Sequence, residues 1–154
     1  MIHIRKACPV VLRGSTKNPE ILAFEHPLAG RQIVKGTVKA VESPVAAAVR
    51  ELAEESGVVA VESPLLLGQS GEIVEGQVWW FFLCPIPDLV DSWSFRTTDD
   101  GGHEFRFFWH PLGDGPVGDW HPPFVRALAF IEEAMMLGWP WKGDEYDQPA
   151  ARTA

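Results

Sequence analysis

Seven consecutive apolar residues, Val78-Trp79-Trp80-Phe81-Phe82-Leu83-Cys84, constrain this chain more than any other stretch. The run is far too short to cross a bilayer, which takes about 20 apolar residues in a helix. Bounded by Gly76 and Pro85, it reads as a strand buried in a folded core. Successive strand side chains face opposite sides, so Trp79 and Trp80 point to different layers, and core is the safer reading of both. The 154 residues fit one domain. A chain of this size buries ~70% of its unfolded surface and needs no disulfide or metal staple. With 46% hydrophobic and 22% charged residues, it is neither disordered nor fibrous.

The rest of the chain supplies the other layers. Residues 2–12 read as a strand, followed by a turn over 13–19 and short strands at 21–24 and 32–34. Residues 35–42 show neither period and read as a loop. Ser43 is a good N-cap and Pro44 suits the first helical position, so a helix runs from there to Ser56 and stops at Gly57. Leu65–Val74 and Gln77–Cys84 read as a hairpin around Glu75-Gly76. Residues 85–102 read as a loop, 104–109 as a strand, and 122–137 as a helix with Phe124, Leu128, Ile131 and Met135 at core spacing. Trp139 and Trp141 are expected to cap the core. The domain is expected to span 1–145, with little order in the 146–154 tail. Strands mixed with two helices suggest a layered α/β or α+β domain.

Composition narrows the function. Cys8 and Cys84 lie in apolar runs with no C-x-x-C neighbour, which fits buried thiols in a reducing cytoplasm. No apolar core with a small-residue cleavage site follows Met1, so no signal peptide is expected. A net charge of −8 opposes binding to a nucleic-acid polymer, and no membrane segment is expected. A small phosphorylated substrate remains compatible, provided divalent cations bridge carboxylate and phosphate.

The chemistry concentrates in the first helix. At 100° per residue, Glu51, Glu54 and Glu55 fall within an arc of about 100°, where three like charges repel. The opposite stripe, Val45, Ala48, Val49 and Leu52, is apolar and faces the core. Ala47 lies one turn before Glu51 and leaves room for something to approach. Arg50 is one turn before Glu54 and can pair with it. Three carboxylates beside a small residue, preceded by a Gly-containing loop, suit a hard cation such as Mg²⁺ or Mn²⁺. Taken alone, such a triplet is more often a solvated helix face.

The full segment from Gly36 to Val58 decides between these readings. It runs G-x5-E-x7-R-E-U-x-E-E-x-G-U, where U is a bulky aliphatic, without a mismatch over 23 residues. This resembles the signature of the Nudix hydrolase family. The resemblance implies a three-layer α/β/α sandwich around a mixed sheet. It implies hydrolysis of a diphosphate linkage in a nucleoside diphosphate derivative, by water attacking phosphorus with Mg²⁺ or Mn²⁺ as cofactor. Carried onto this chain, Glu51, Glu54 and Glu55 are the metal carboxylates and the Gly36 carbonyl a further ligand. Arg50 orients a glutamate of the motif, Glu42 braces the loop, and Leu52 and Val58 are core. Many members use an acid beyond the motif as ligand or base. Glu104 is preferred here, with Asp99, Asp100 and His103 as alternatives and a bare strand edge as the structural reading.

Substrate is less constrained. Lys35 precedes Gly36 and can reach a phosphate, although a solvated lysine is nearly as common. Lys6, Arg5, Arg31 and Arg106 are further bases. One of Trp79 and Trp80 could stack on a nucleobase. His26 and His110 adjoin prolines and carry no assigned chemistry. The 35–44 loop is similar to that of members acting on dinucleoside polyphosphates, but their downstream tyrosine is matched only by Tyr146 in the tail. The proline of ADP-ribose enzymes has no counterpart between Leu65 and Cys84. The preferred substrate is a nucleoside or dinucleoside polyphosphate. The alternatives are ADP-ribose, a nucleotide sugar, or a nucleotide-sensing role without catalysis.

Overall fold

The computed structural model describes residues 3–86, 88–98, 101–138, 141 and 143. Their strands are β1 (Ile4–Val10), β2 (Leu12–Gly14), β3 (Pro19–His26), β4 (Gly30–Gln32), β5 (Gly36–Thr37), β6 (Leu65–Ser70), β7 (Gln77–Leu83), β8 (Trp93–Arg96) and β9 (Glu104–Pro111). Helix α1 spans Pro44–Ser56 and α2 spans Pro122–Met136. One sheet has the order β5-β1-β7-β6 and is mixed, because β1 runs parallel to β7 from Ile4↔Gln77 to Val10↔Leu83. The other is antiparallel in the order β2-β3-β9-β8, with β4 also beside β3.

The apolar run explains the layering. Trp79, Phe81 and Leu83 pack with Cys8, Val10 and the α2 residues Phe124, Leu128 and Ile131. Phe82 and Cys84 face the other way and pack with Ala7, Phe24, Phe107 and the α1 residues Ala47, Ala48 and Leu52. The period-two alternation of the central strands therefore needs a helix on each side, which gives an α/β/α sandwich with a mixed sheet. Trp80 packs part-buried on the α1 side and Trp79 is fully buried on the α2 side. Trp141 packs part-buried against the α2-side core.

Several element boundaries differ from the sequence reading. The first strand breaks at Val11, whose carbonyl accepts from Leu22 N–H at 2.9 Å. The third short strand lies at Gly30–Gln32, two residues earlier than expected, and the loop after it contains β5, which pairs with β1 at Lys6↔Thr37. The Leu65–Val74 strand ends at Ser70. Within the expected 85–102 loop, Trp93–Arg96 forms β8 against β9. Tail residues 146–154, Trp139, Asp99 and Asp100 lie outside the described residues. No helix among the described residues is long and apolar enough to cross a membrane.

Candidate functional site

Helix α1 is fixed at both ends. Ser43 Oγ accepts from Ala46 N–H at 3.2 Å, and Pro44 occupies the first turn. At the C-terminus Gly57 adopts φ +79°, and its N–H donates to Ala53 O at 2.9 Å. A Cβ at Gly57 would meet the Phe95 ring at 2.8 Å, so glycine is required twice over. Ser56 Oγ–H donates to Leu52 O at 2.6 Å, and Trp93 Nε1–H donates to Ser56 O at 3.1 Å. The last turn, which carries Glu54 and Glu55, is thus tied to β8.

Arg50 organises the acidic face. Its Nε donates to Glu42 Oε2 at 2.7 Å and its Nη2 to Glu42 Oε1 at 2.9 Å, a bidentate pair. Nη2 also donates to Thr37 O at 3.0 Å, and Nη1 donates to Glu51 Oε1 at 2.7 Å and Glu54 Oε2 at 3.1 Å. The Arg50 hydrogen bonds hold the Glu42 carboxyl down to about 2, and the bond to Glu42 raises the guanidinium in turn. Glu42 Oε1 accepts from Lys39 N–H at 3.2 Å as well, which closes the loop before the helix. Arg50 therefore links loop and helix, and Glu42 braces the loop.

Glu51 is buried, not solvated, with 7% of its surface exposed. A Cβ at Gly36 would overlap its carboxyl group, so only glycine lets the loop pass this close. Two carboxylates thus converge on one cationic nitrogen beside a glycine cradle. That donor set suits a hard divalent cation, which takes oxygen ligands. Among the described residues, no three His, Cys, Asp or Glu side chains close on a single point. Arg50 Nη1 is the positive charge that Glu51 and Glu54 share here.

Glu55 faces a cleft of about 420 Å³ together with Lys35, Gln32, Gln77 and Thr97. His26, His103 and His121 line it too, as do Trp79, Phe105 and Phe124. Lys35 Nζ lies 6.0 Å from the centroid of the Trp79 ring and 5.9 Å from that of Phe124. Lys6 Nζ donates to Thr37 Oγ1 at 2.7 Å. Burial lowers the Lys6 ammonium, and the neighbouring Lys35 charge lowers it further. Trp79 Nε1–H donates to Gln77 Oε1 at 2.8 Å. The cleft thus joins a carboxylate of the acidic helix to a lysine and several neutral hydrogen-bonding groups.

The structure gathers Gly36, Arg50, Glu51 and Glu54 around the guanidinium, and Lys35 with Glu55 in the cleft. Glu104 stands apart: it is exposed, opposite Arg96 in the β8–β9 ladder. Strand alternation sets it on the face away from Phe105, which lines the cleft. His103, its neighbour, does line the cleft. The sequence assigns no chemistry to His26, His121, Gln32, Gln77 or Thr97. The available signal was the alternation Trp93, Phe95, Thr97, which puts Thr97 in line with two apolar residues of one strand face.

The mixed-sheet sandwich and the arginine-bound acidic helix define the class to which the chain belongs, and comparison with known proteins names it. The NUDIX domain model matches residues 3–128, and the chain belongs to the Nudix family, as a Nudix hydrolase. Members are pyrophosphohydrolases that generally depend on a divalent metal. No curated protein matches the sequence. Among solved structures, the Escherichia coli ORF135 protein aligns with TM-score 0.59 at 18% identity, over 92% of this chain and 96% of that one. A MutT NUDIX hydrolase from Burkholderia pseudomallei aligns with TM-score 0.57 at 22% identity, over 83% and 97%. The NUDIX domain of Shewanella oneidensis NrtR, solved in complex with ADP ribose, aligns with TM-score 0.57 at 15% identity, over 86% and 88%. At these identities the likeness is one of fold.

Proposed function

We propose that this hydrolase cleaves a diphosphate linkage in a soluble nucleoside or dinucleoside polyphosphate. The observation that carries the reading is that Glu55 of the acidic helix and Lys35 share one cleft. Glu51, Glu54 and Glu55, with the Gly36 carbonyl, would hold Mg²⁺ or Mn²⁺. When bound, such a cation makes water a better nucleophile and offsets charge on the phosphoryl oxygens. Attack by water at phosphorus forms one P–O bond and breaks the bridging P–O bond, and the departing phosphate carries away the electron pair. Among the described lining residues, Glu55 is the carboxylate within reach of a substrate in the cleft, and the water's proton passes to a carboxylate outside the set that would hold the cation. Arg50 acts as a positioning residue by holding Glu51 and Glu54 in place.

Lys35 supports the polyphosphate choice, because an extra phosphate beyond the scissile pair gains from a cation at the cleft wall. A charge-assisted contact of this kind is worth roughly 1.5–3 kcal/mol, or about tenfold to a hundredfold in specificity. Lys35→Ala should therefore lower kcat/KM for a tetraphosphate-bridged dinucleotide more than for ADP-ribose. Equal losses on both, or a wild-type preference for ADP-ribose, would favour the second reading, which the fold likeness to the ADP-ribose-bound NrtR domain supports. Buried free Cys8 and Cys84, whose thiols burial pushes upward, suit a reducing, cytoplasmic setting.

A further inference from the structure

A ladder of rings crosses the antiparallel sheet and ends at the cleft. Trp93 stacks on Phe107 at 5.0 Å and 9°, Phe107 meets Phe24 at 5.2 Å, and Phe24 stacks on Phe105 at 4.3 Å and 18°. Phe105 then meets His26 at 5.2 Å, and His26 meets His103 at 4.9 Å. The ladder changes from hydrocarbon to imidazole where it leaves the core. No further ring stacks on His103 among the described residues, and His103 lines the cleft. His26 Nδ1 accepts from Leu28 N–H at 3.0 Å.

Thr97 stands beside the end of this ladder. Its backbone N–H donates to His103 O at 2.9 Å, which fixes both residues across the β8–β9 pair. Thr97 is 3% exposed and lines the cleft, yet its Oγ1 has no hydrogen-bond partner among the described residues. Buried polar atoms are almost always paired, so this orphan asks for a partner that a ligand would bring. Unstacked bases are commonly held on aromatic or histidine rings and read along their edges.

We infer that His103 and Thr97 are specificity-determining residues for the substrate's nucleobase: the base extends the ring ladder over His103, and the Thr97 hydroxyl bonds to its edge. This rests on the nucleotide-hydrolase reading above and names the residues that select the base.

The test is calorimetric titration of the wild-type chain, with Mg²⁺ present, using the 5′-monophosphates of adenosine, guanosine, cytidine and uridine, and ribose 5-phosphate. At least one nucleotide should bind tighter than ribose 5-phosphate. Thr97→Val should weaken that nucleotide about tenfold, the loss of one buried hydrogen bond. Thr97→Ser should retain the affinity, and ribose 5-phosphate should be unaffected. His103→Ala should weaken the nucleotide as well, and His103→Phe should restore it, since a ring suffices for stacking. Thr97→Val removes an unpaired hydroxyl and keeps the shape, so it tests the inference even if His103→Ala unfolds the loop. Nucleotides binding no better than ribose 5-phosphate, or unchanged affinity in Thr97→Val or in folded His103→Ala, overturn the inference. Turnover by the wild type on diphosphate substrates tests the hydrolase reading separately.

Discussion

At the scale of single residues, the acidic helix divides its glutamates between two environments. Glu51 is buried under Gly36 and shared with Glu54 through Arg50, whereas Glu55 meets the cleft. Glu55→Gln should lower kcat by on the order of a hundredfold or more while circular dichroism and melting temperature stay near wild type. Near-normal turnover would remove Glu55 from the site. Glu104 is exposed on the other face of its strand, so Glu104→Gln should change kcat by less than about twofold. A large drop in kcat at constant KM would return Glu104 to the reacting centre. The sequence exposes the difference between the two only in part. The motif spacing marks Glu55, but the side of the sheet that Glu104 occupies depends on register with β8, a strand hidden in a Pro- and Asp-containing segment.

Elements show why some features are readable locally and others are not. Helix α1 carries its own start and stop in Ser43, Pro44 and Gly57, and its predicted bounds coincide with the observed ones. Ser43→Ala removes the acceptor for Ala46 N–H and should cost about 0.5–2 kcal/mol, read as a lower urea midpoint at unchanged m. An unaltered midpoint would mean the cap contributes nothing. Strand β5, by contrast, is two residues long, and its pairing with β1 is set by a partner thirty residues away in sequence, which no local period reports. The cleft shares this property. Gln32 ends β4, Gln77 opens β7, and Thr97, His103 and His121 adjoin β8, β9 and α2, so only the folded chain brings them to Glu55. His26, which adjoins a proline in sequence, becomes the penultimate ring of the ladder for the same reason.

Over the whole molecule, two buried or paired groups tie stability to pH in the same direction. His110 is buried, and burial pulls its imidazole below the ordinary 6.5 while Nε2–H donates to Gly115 O at 2.7 Å. As pH falls through 6.5 the unfolded chain takes up that proton first, so stability declines until the folded form protonates too. Glu42, held down to about 2 by Arg50, contributes stability that is present above 4.5 and lost as pH falls toward 2. Urea unfolding should therefore show decreasing stability from pH 7 to pH 5, and His110→Gln should flatten that slope. An identical slope in wild type and variant would exclude His110 as its source. The proposal made for the whole molecule is that the acidic helix and the cleft beside it hydrolyse a nucleotide diphosphate bond with a divalent cation. Product release from ADP-ribose, nucleotide sugars, nucleoside triphosphates and dinucleoside polyphosphates, followed chromatographically with Mg²⁺, with Mn²⁺ and with chelator, tests it most directly. Cleavage of at least one substrate that requires the cation, stops with chelator and fails in Glu55→Gln is the predicted result. A folded wild-type chain that cleaves none of them with either cation, or cleaves equally well in chelator, would contradict it.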